Sequence, residues 1–251
     1  TPWQINIYRA LNAPCPQFGH VPVILGDDGQ KLSKRRGAVS VTAYEVGGFL
    51  PEAMLNYLAR LGWSHGDEEL FSREQLVAWF DGSHLAKSPA QWDPAKLAWV
   101  NAQYIKQADI KRLAGLVAEQ LRGRGMVVDE AALCAQCALF RDRCSTTVEL
   151  ADWLSMYAVA PQPSAEDLAQ HVTEAVRPAI ASLRERLATV DWQAPAIQQA
   201  FKDTLAEQKK KMPPHAVPVR VLVCGRPQTP SVDAVLALFS REEVLARLQT
   251  A

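Results

Sequence analysis

The sequence predicts a mainly α-helical chain, and three observations carry that reading. From Leu50 onward, apolar residues recur at helical rather than alternating spacing. Helix-opening signals stand directly ahead of those stretches, as in Ser72-Arg-Glu-Gln75 and Asp93-Pro94. The clearest strand signal near the start is one short β-branched run, Val21-Pro-Val-Ile-Leu25, which reads as a buried strand.

In order, Thr1-Pro2 looks like an N-cap and first helical residue, opening a helix through about Leu11 with Ile5, Tyr8 and Leu11 on one face. After the Val21–Leu25 run, Gly26-Asp-Asp-Gly29 supplies turn chemistry. Pro51 opens a helix whose face is expected to be Met54, Leu55, Leu58 and Leu61, ended by Gly62. Ser72 caps the next. Asp93-Pro94 opens another, with Leu97, Val100 and Tyr104 buried. Asp109 caps a helix broken at Gly123-Arg-Gly125, and Asp129 caps one running to about Arg143. Pro161-Gln-Pro163 reads as a linker before Ser164. Two helices follow, one after Pro178 through Val190 and one over about residues 194–210. The β-branched content of Val217-Pro-Val-Arg-Val-Leu-Val-Cys224 suggests a strand, and two short amphipathic helices close the chain.

Composition narrows the function classes. The 27 basic and 27 acidic residues of the 251 cancel, so there is no global field attracting polyanions, and nucleic-acid contact has to come from local patches. Five cysteines, an odd number, do not form a disulfide framework and fit a reducing cytoplasm. No apolar run approaches membrane-spanning length, and Thr-Pro-Trp-Gln lacks the character of a signal peptide. The expectation is a soluble, cytoplasmic protein of one to three domains.

The strongest chemical feature is Lys31-Leu-Ser-Lys-Arg-Arg-Gly37, four positive charges within six residues. Attack on the α-phosphate of ATP builds negative charge on phosphoryl oxygens and on departing pyrophosphate. Lys31 and Lys34 suit those oxygens as charge-assisted donors, with Ser33 and loop amides adding neutral ones. Each charged hydrogen bond contributes about 1.5–3 kcal/mol. A solvated basic turn is the competing reading. Elsewhere, Cys134-Ala-Gln-Cys137 with Cys144 has a C-x-x-C look, but no nearby His or Cys completes four ligands, and small core residues are the better reading. Lys87, Lys96, Lys106 and Lys209-Lys-Lys211 are either phosphate contacts or solvated surface charges.

Lys31-Leu-Ser-Lys-Arg35 resembles the K-M-S-K-S signature of class I aminoacyl-tRNA synthetases. The wider run from His20 to Gly37 resembles its form in bacterial-type glutamyl-tRNA synthetases. The likeness continues through Gly48-Phe-Leu-Pro-Glu-Ala-Met-Leu-Asn-Tyr-Leu58, Leu61-Gly-Trp-Ser64, Lys87-Ser-Pro89 and Trp99-Val-Asn-Ala-Gln-Tyr-Ile105. It thins beyond Gln107 and returns at Val219-Arg-Val-Leu-Val-Cys-Gly225 and Glu243–Leu248. Arg36 departs from the family's usual His or Asp but keeps the charge. No H-I-G-H occurs, which suggests the C-terminal portion of such an enzyme, inactive alone.

The resemblance implies a remnant of an α/β Rossmann catalytic domain over residues 1–40, a helical stem-contact domain over 41–107, and two helical anticodon-binding parts over 108–162 and 163–251. It implies ATP and Mg²⁺, L-glutamate and tRNA(Glu) as partners, no membrane, and a monomer. Lys31, Ser33 and Lys34 become catalytic, and Lys31, Lys34 and Arg35 bind ATP. Arg143 matches the arginine that reads the third anticodon base, where a planar fork of donors suits a base edge, although a surface salt bridge with Asp142 or Glu149 is an equal reading. Arg220, Thr229 and Val232 match positions lining the anticodon pocket. The family has a helix at Val217–Cys224, and we side with helix because tertiary context overrides propensity. Competing readings are a non-catalytic helical RNA-binding or scaffold module, and a truncated tRNA-modifying paralogue, against which residues 108–251 argue.

Overall fold

A computed structural model describes residues 1–26, 28–32, 40–207 and 213–249, with the side chains of 213–215 excluded. Its elements are α1 (Pro2–Ala10), β1 (Ile24–Leu25), α2 (Val41–Val46), α3 (Pro51–Arg60), α4 (Arg73–Trp79), β2 (Ala90–Gln91) and α5 (Pro94–Gln107). There follow α6 (Ile110–Gly123), α7 (Glu130–Phe140), a 3₁₀ turn (Arg141–Arg143), α8 (Thr147–Ala158), α9 (Ala165–His171), α10 (Arg177–Leu187), α11 (Ala194–Glu207), α12 (Pro213–Cys224), α13 (Val232–Leu236) and α14 (Arg241–Leu248). The chain is mostly helical, as the sequence predicts.

It divides into two compact units: residues 1–46 with 50–100, and residues 47–49 with 101–251. The division falls inside α5, between Val100 and Asn101.

In the first unit, Ser72 and Asp93 open their helices as read. Ser72 Oγ accepts from the Gln75 amide at 3.2 Å, and the Gln75 side chain accepts from the Ser72 amide at 2.7 Å, satisfying two helix-end donors reciprocally. Asp93 Oδ1 accepts from the Lys96 amide at 3.0 Å. Thr1 sits at the N-cap of α1, but its hydroxyl bonds to Nε2 of His20 at 2.9 Å instead of capping.

Two expectations need correction here. The strand is two residues long rather than five, and Val21 and Val23 are exposed. Only Ile24 and Leu25 have ladder partners, in parallel with Ala90 and Gln91 of β2, while Pro22 has no amide to donate. Leu55 and Leu58 are also exposed, and α3 buries Ala53, Met54, Asn56 and Tyr57 instead. Asn56 can enter the core because Nδ2 donates to Glu69 O at 2.8 Å and Oδ1 accepts from the Phe71 amide at 3.0 Å. Tyr57 both donates to Asp93 O, at 3.0 Å, and accepts from the Asp93 amide, at 2.7 Å, fixing the start of α5.

In the second unit, α6 packs on both α7 and α8, burying Leu113, Val117, Leu121, Leu133, Phe140, Leu150 and Leu154. Each such aliphatic or aromatic side chain contributes roughly 1.5–3 kcal/mol on burial. Farther along, α10 packs on α11, and α12 packs on α9 and α14, around Leu183, Phe201, Val219, Val223 and Val244. Residues 217–224 lie in helix α12 despite their β-branched content, because Val219, Val221 and Val223 are fully buried there.

Candidate functional site

Lys31 stands at the end of a tight hairpin. The Gly26 amide donates to Gln30 O at 2.7 Å, the Gly29 amide to Gly26 O at 3.0 Å, and the Gln30 amide to Asp28 Oδ1 at 2.9 Å. Gly29 has φ +72°, which its missing Cβ permits. Lys31 then bridges antiparallel to Leu25, and the Leu32 amide donates to Ile24 O at 2.9 Å. The turn thus returns an exposed ammonium alongside the strand it follows. Ser33, Lys34 and Arg35, the other loop residues singled out above, lie outside the described residues, as do Arg36 and Lys209–Lys211.

A cleft of about 640 Å³ in the same unit is walled by Val21, Val23, Leu58, Leu76, Val77 and Phe80. The described residues that line it are apolar. Lys96 is engaged locally: Nζ reaches Glu69 Oε2 at 2.6 Å and lies 4.0 Å from the Trp99 ring centre. The Lys96 contact holds the Glu69 carboxyl below its ordinary range. Lys87 and Lys106 are exposed.

Arg143 closes the 3₁₀ turn after α7 and is exposed; among the described residues it pairs with neither Asp142 nor Glu149. The turn itself is well tied. Arg141 Nη1 donates to Ala108 O at 3.3 Å, the Cys144 amide to Arg141 O at 3.2 Å, and the Ser145 amide to Glu149 Oε2 at 2.7 Å. Cys144 and Cys137 are core residues, and burial pushes both thiols up to about 12. Among the described residues no group of three or more His, Cys, Asp or Glu can hold a metal ion.

Arg220 and Thr229 come together across the loop that follows α12. Arg220 Nε donates to Thr229 Oγ1 at 3.0 Å, and Thr229 donates to Pro230 O at 2.8 Å. Thr229 is 7% exposed, so its hydroxyl is spent on these partners, whereas Arg220 is half-buried. Val232, the first residue of α13, is buried. Sequence reasoning missed two features of this unit. The Arg226 guanidinium lies 4.1 Å from the Trp153 ring centre, and Asn101 is buried against Gly48 and Ser145. Neither has a local sequence signal, since each pairs residues far apart in the chain.

Comparison with known proteins gives the class first. Residues 85–251 match the anticodon binding domain family, and residues 1–99 match the catalytic domain of class I tRNA synthetases for E and Q. The chain belongs to the anticodon binding domain family of tRNA synthetases. Among its relatives, the glutamate–tRNA ligase of Leptothrix cholodnii is 58% identical over the whole chain and that of Polaromonas sp. 55% identical over 99% of it. The chain spans about half of each relative, 54% in both cases. A glutamate tRNA ligase from Elizabethkingia meningosepticum, solved in complex with its amino acid, superposes with a TM-score of 0.85. The superposition covers 99% of this chain and 53% of that one at 22% identity, which speaks to fold alone. The resemblance carried by Lys31–Gly37 and the stretches after it thus extends along the entire chain.

Proposed function

We propose that this chain supplies the ATP-phosphate loop and the tRNA-binding part of a glutamate–tRNA ligase, which activates L-glutamate with ATP and joins it to the 3′ end of tRNA(Glu). The observation that carries the reading is the 58% identity to a glutamate–tRNA ligase along the whole chain. Lys31, at the end of the hairpin, would meet the triphosphate together with Ser33, Lys34 and Arg35. Lys31, Ser33 and Lys34 would stabilise charge on the departing pyrophosphate, the step that yields glutamyl-adenylate. Mg²⁺ accompanies ATP in this reading and is assigned to no residue, because the described residues hold no fitting cluster.

Arg143 would read the third anticodon base, its exposed fork of donors standing on a turn tied by Arg141 and Ser145. Arg220, Thr229 and Val232 would form the wall of the anticodon site, with Thr229 orienting Arg220 and Val232 packing behind them. Residues 41–107 would contact the tRNA stem, with 108–162 and 163–251 the two parts that hold the anticodon. Cytoplasmic location and a monomeric state belong to the same proposal. No helix among the described residues is long and apolar enough to cross a membrane.

The test uses a complete ligase carrying this chain. Lys34→Ala should collapse glutamate-dependent pyrophosphate exchange while leaving tRNA(Glu) affinity nearly unchanged. Loss of RNA affinity with exchange intact would point to a phosphate-touching binding module instead. The 251-residue chain alone should bind tRNA(Glu) weakly and show no exchange, since only its first 99 residues match the catalytic family.

A further inference from the structure

The residues just after Arg143 are gripped from two distant parts of the chain. Asn101, fully buried on α5, donates through Nδ2 to Ser145 O at 2.6 Å and to Gly48 O at 3.3 Å. Gly48 O also accepts from the Thr147 amide at 3.0 Å, satisfying one of the donors left over at the start of α8. The approach is close. Gly48 has φ +83°, and a Cβ there would stand 2.6 Å from Val148 N and 2.8 Å from Thr147 Oγ1. A buried amide is costly unless its partners are in place, and an apolar residue would fill the same space without that cost. What the amide adds is direction. It sets one carbonyl two residues beyond Arg143 and a second that holds the first turn of α8.

Arg143 itself is exposed, and among the described residues no ion pair restrains it, so its aim depends on the backbone beneath it. The 3₁₀ turn is tied on its leading side by Arg141 to Ala108 O and on its trailing side by Ser145. We propose that Asn101 and Gly48 are positioning residues for Arg143, fixing the turn so that its guanidinium meets the third anticodon base without first being ordered. This deepens the proposed function and rests on its reading of Arg143. A preordered donor fork loses less freedom on binding, and that gain applies only to the base it faces.

The test measures binding of the 251-residue chain to two unmodified tRNA(Glu) transcripts, identical except that the third anticodon base is C in one and G in the other. The unsubstituted chain should prefer the first by roughly ten- to a hundred-fold, the range of one good base-edge contact. Asn101→Ala should cut that preference about five-fold or more by weakening the C transcript, with affinity for the G transcript nearly unchanged. Gly48→Ala, whose Cβ would push residue 48 away from Thr147 and Val148, should do the same. Asn101→Asp, of equal volume but without the amide donors, carries the test should either substitution prevent folding. Hydrogen exchange over residues 143–147 should quicken in the variants while that of α10 and α11 stays as it was. Equal weakening of both transcripts would mark Asn101 as merely structural and overturn the proposal, as would an unchanged preference. If the unsubstituted chain shows no preference, the reading of Arg143 fails and the positioning role falls with it.

Discussion

Arg220 donates through Nε to the hydroxyl of Thr229 at 3.0 Å, and that hydroxyl in turn donates to Pro230 O at 2.8 Å. The hydroxyl is therefore used in both directions, at a buried position. Thr229→Val keeps the shape and removes both bonds. It should cost about 1–3 kcal/mol of stability by urea unfolding, with Thr229→Ser restoring most of it. Because Arg220 also loses its orienting partner, tRNA(Glu) affinity should fall beyond what the stability loss explains; unchanged affinity would remove Thr229 from the proposed anticodon site.

Gly225 ends α12 with φ +71°, its amide donating to Val221 O at 3.0 Å. A Cβ there would lie 2.6 Å from Pro161 Cβ. Gly225→Ala combines left-handed strain with a clash against a rigid ring. About 1–3 kcal/mol of destabilisation is expected from the backbone alone. A thermal melt within a degree of the unsubstituted chain would contradict it.

Asn56 holds the chain around Glu69 and Phe71 against α3. Asn56→Leu has the same branching but can make neither bond, so the Glu69 carbonyl and the buried Phe71 amide each lose this partner. Unfolding free energy should drop by about 1–3 kcal/mol, and proteolysis near residues 66–71 should accelerate. A stabilised Asn56→Leu variant would show that packing outweighs these bonds.

Burial pushes the thiols of Cys137, Cys144 and Cys224 from 9.0 up to about 12, and the Tyr157 phenol is raised by the same cause. Their folded-state values lie above the unfolded ones, so the unfolded chain releases protons first as pH rises. The stability they contribute is complete below about pH 9 and is lost progressively toward pH 12. Urea midpoints measured from pH 8 to 11 should be flat at first and then decline. Substituting Cys144 by Ala should flatten the decline, even though the variant starts less stable. Exposed Cys15 should react with a thiol reagent in the native state, and the three buried cysteines only on unfolding.

Helix starts were legible in the sequence because they are local: Ser72, Asp93, Asp109, Asp129 and Ser164 sit within four residues of the amides they cap. Burial was less so. Leu55 and Leu58 outrank Asn56 on any hydrophobicity scale, yet Asn56 is inside, because its two partners lie at residues 69 and 71. The run Val21–Leu25 has the composition of a buried strand, but only two of its residues find ladder partners. For α12 the resemblance to known synthetases corrected what β-branched residues alone suggested. The charge density of residues 31–37 is visible in composition, while the roles proposed for Lys31 and Arg143 rest on resemblance. Asn101 and Gly48 were invisible because their significance lies in each other, 53 residues apart.

Residues 47–49 belong to the second unit although the chain on either side of them belongs to the first, so the backbone passes between the units at Val46–Gly47, Phe49–Leu50 and Val100–Asn101. A single scission inside α5, between Val100 and Asn101, would consequently leave residues 47–49 of the second unit on the other piece. Excising the second unit with residues 47–49 still attached carries residues 50–100 of the first along with it.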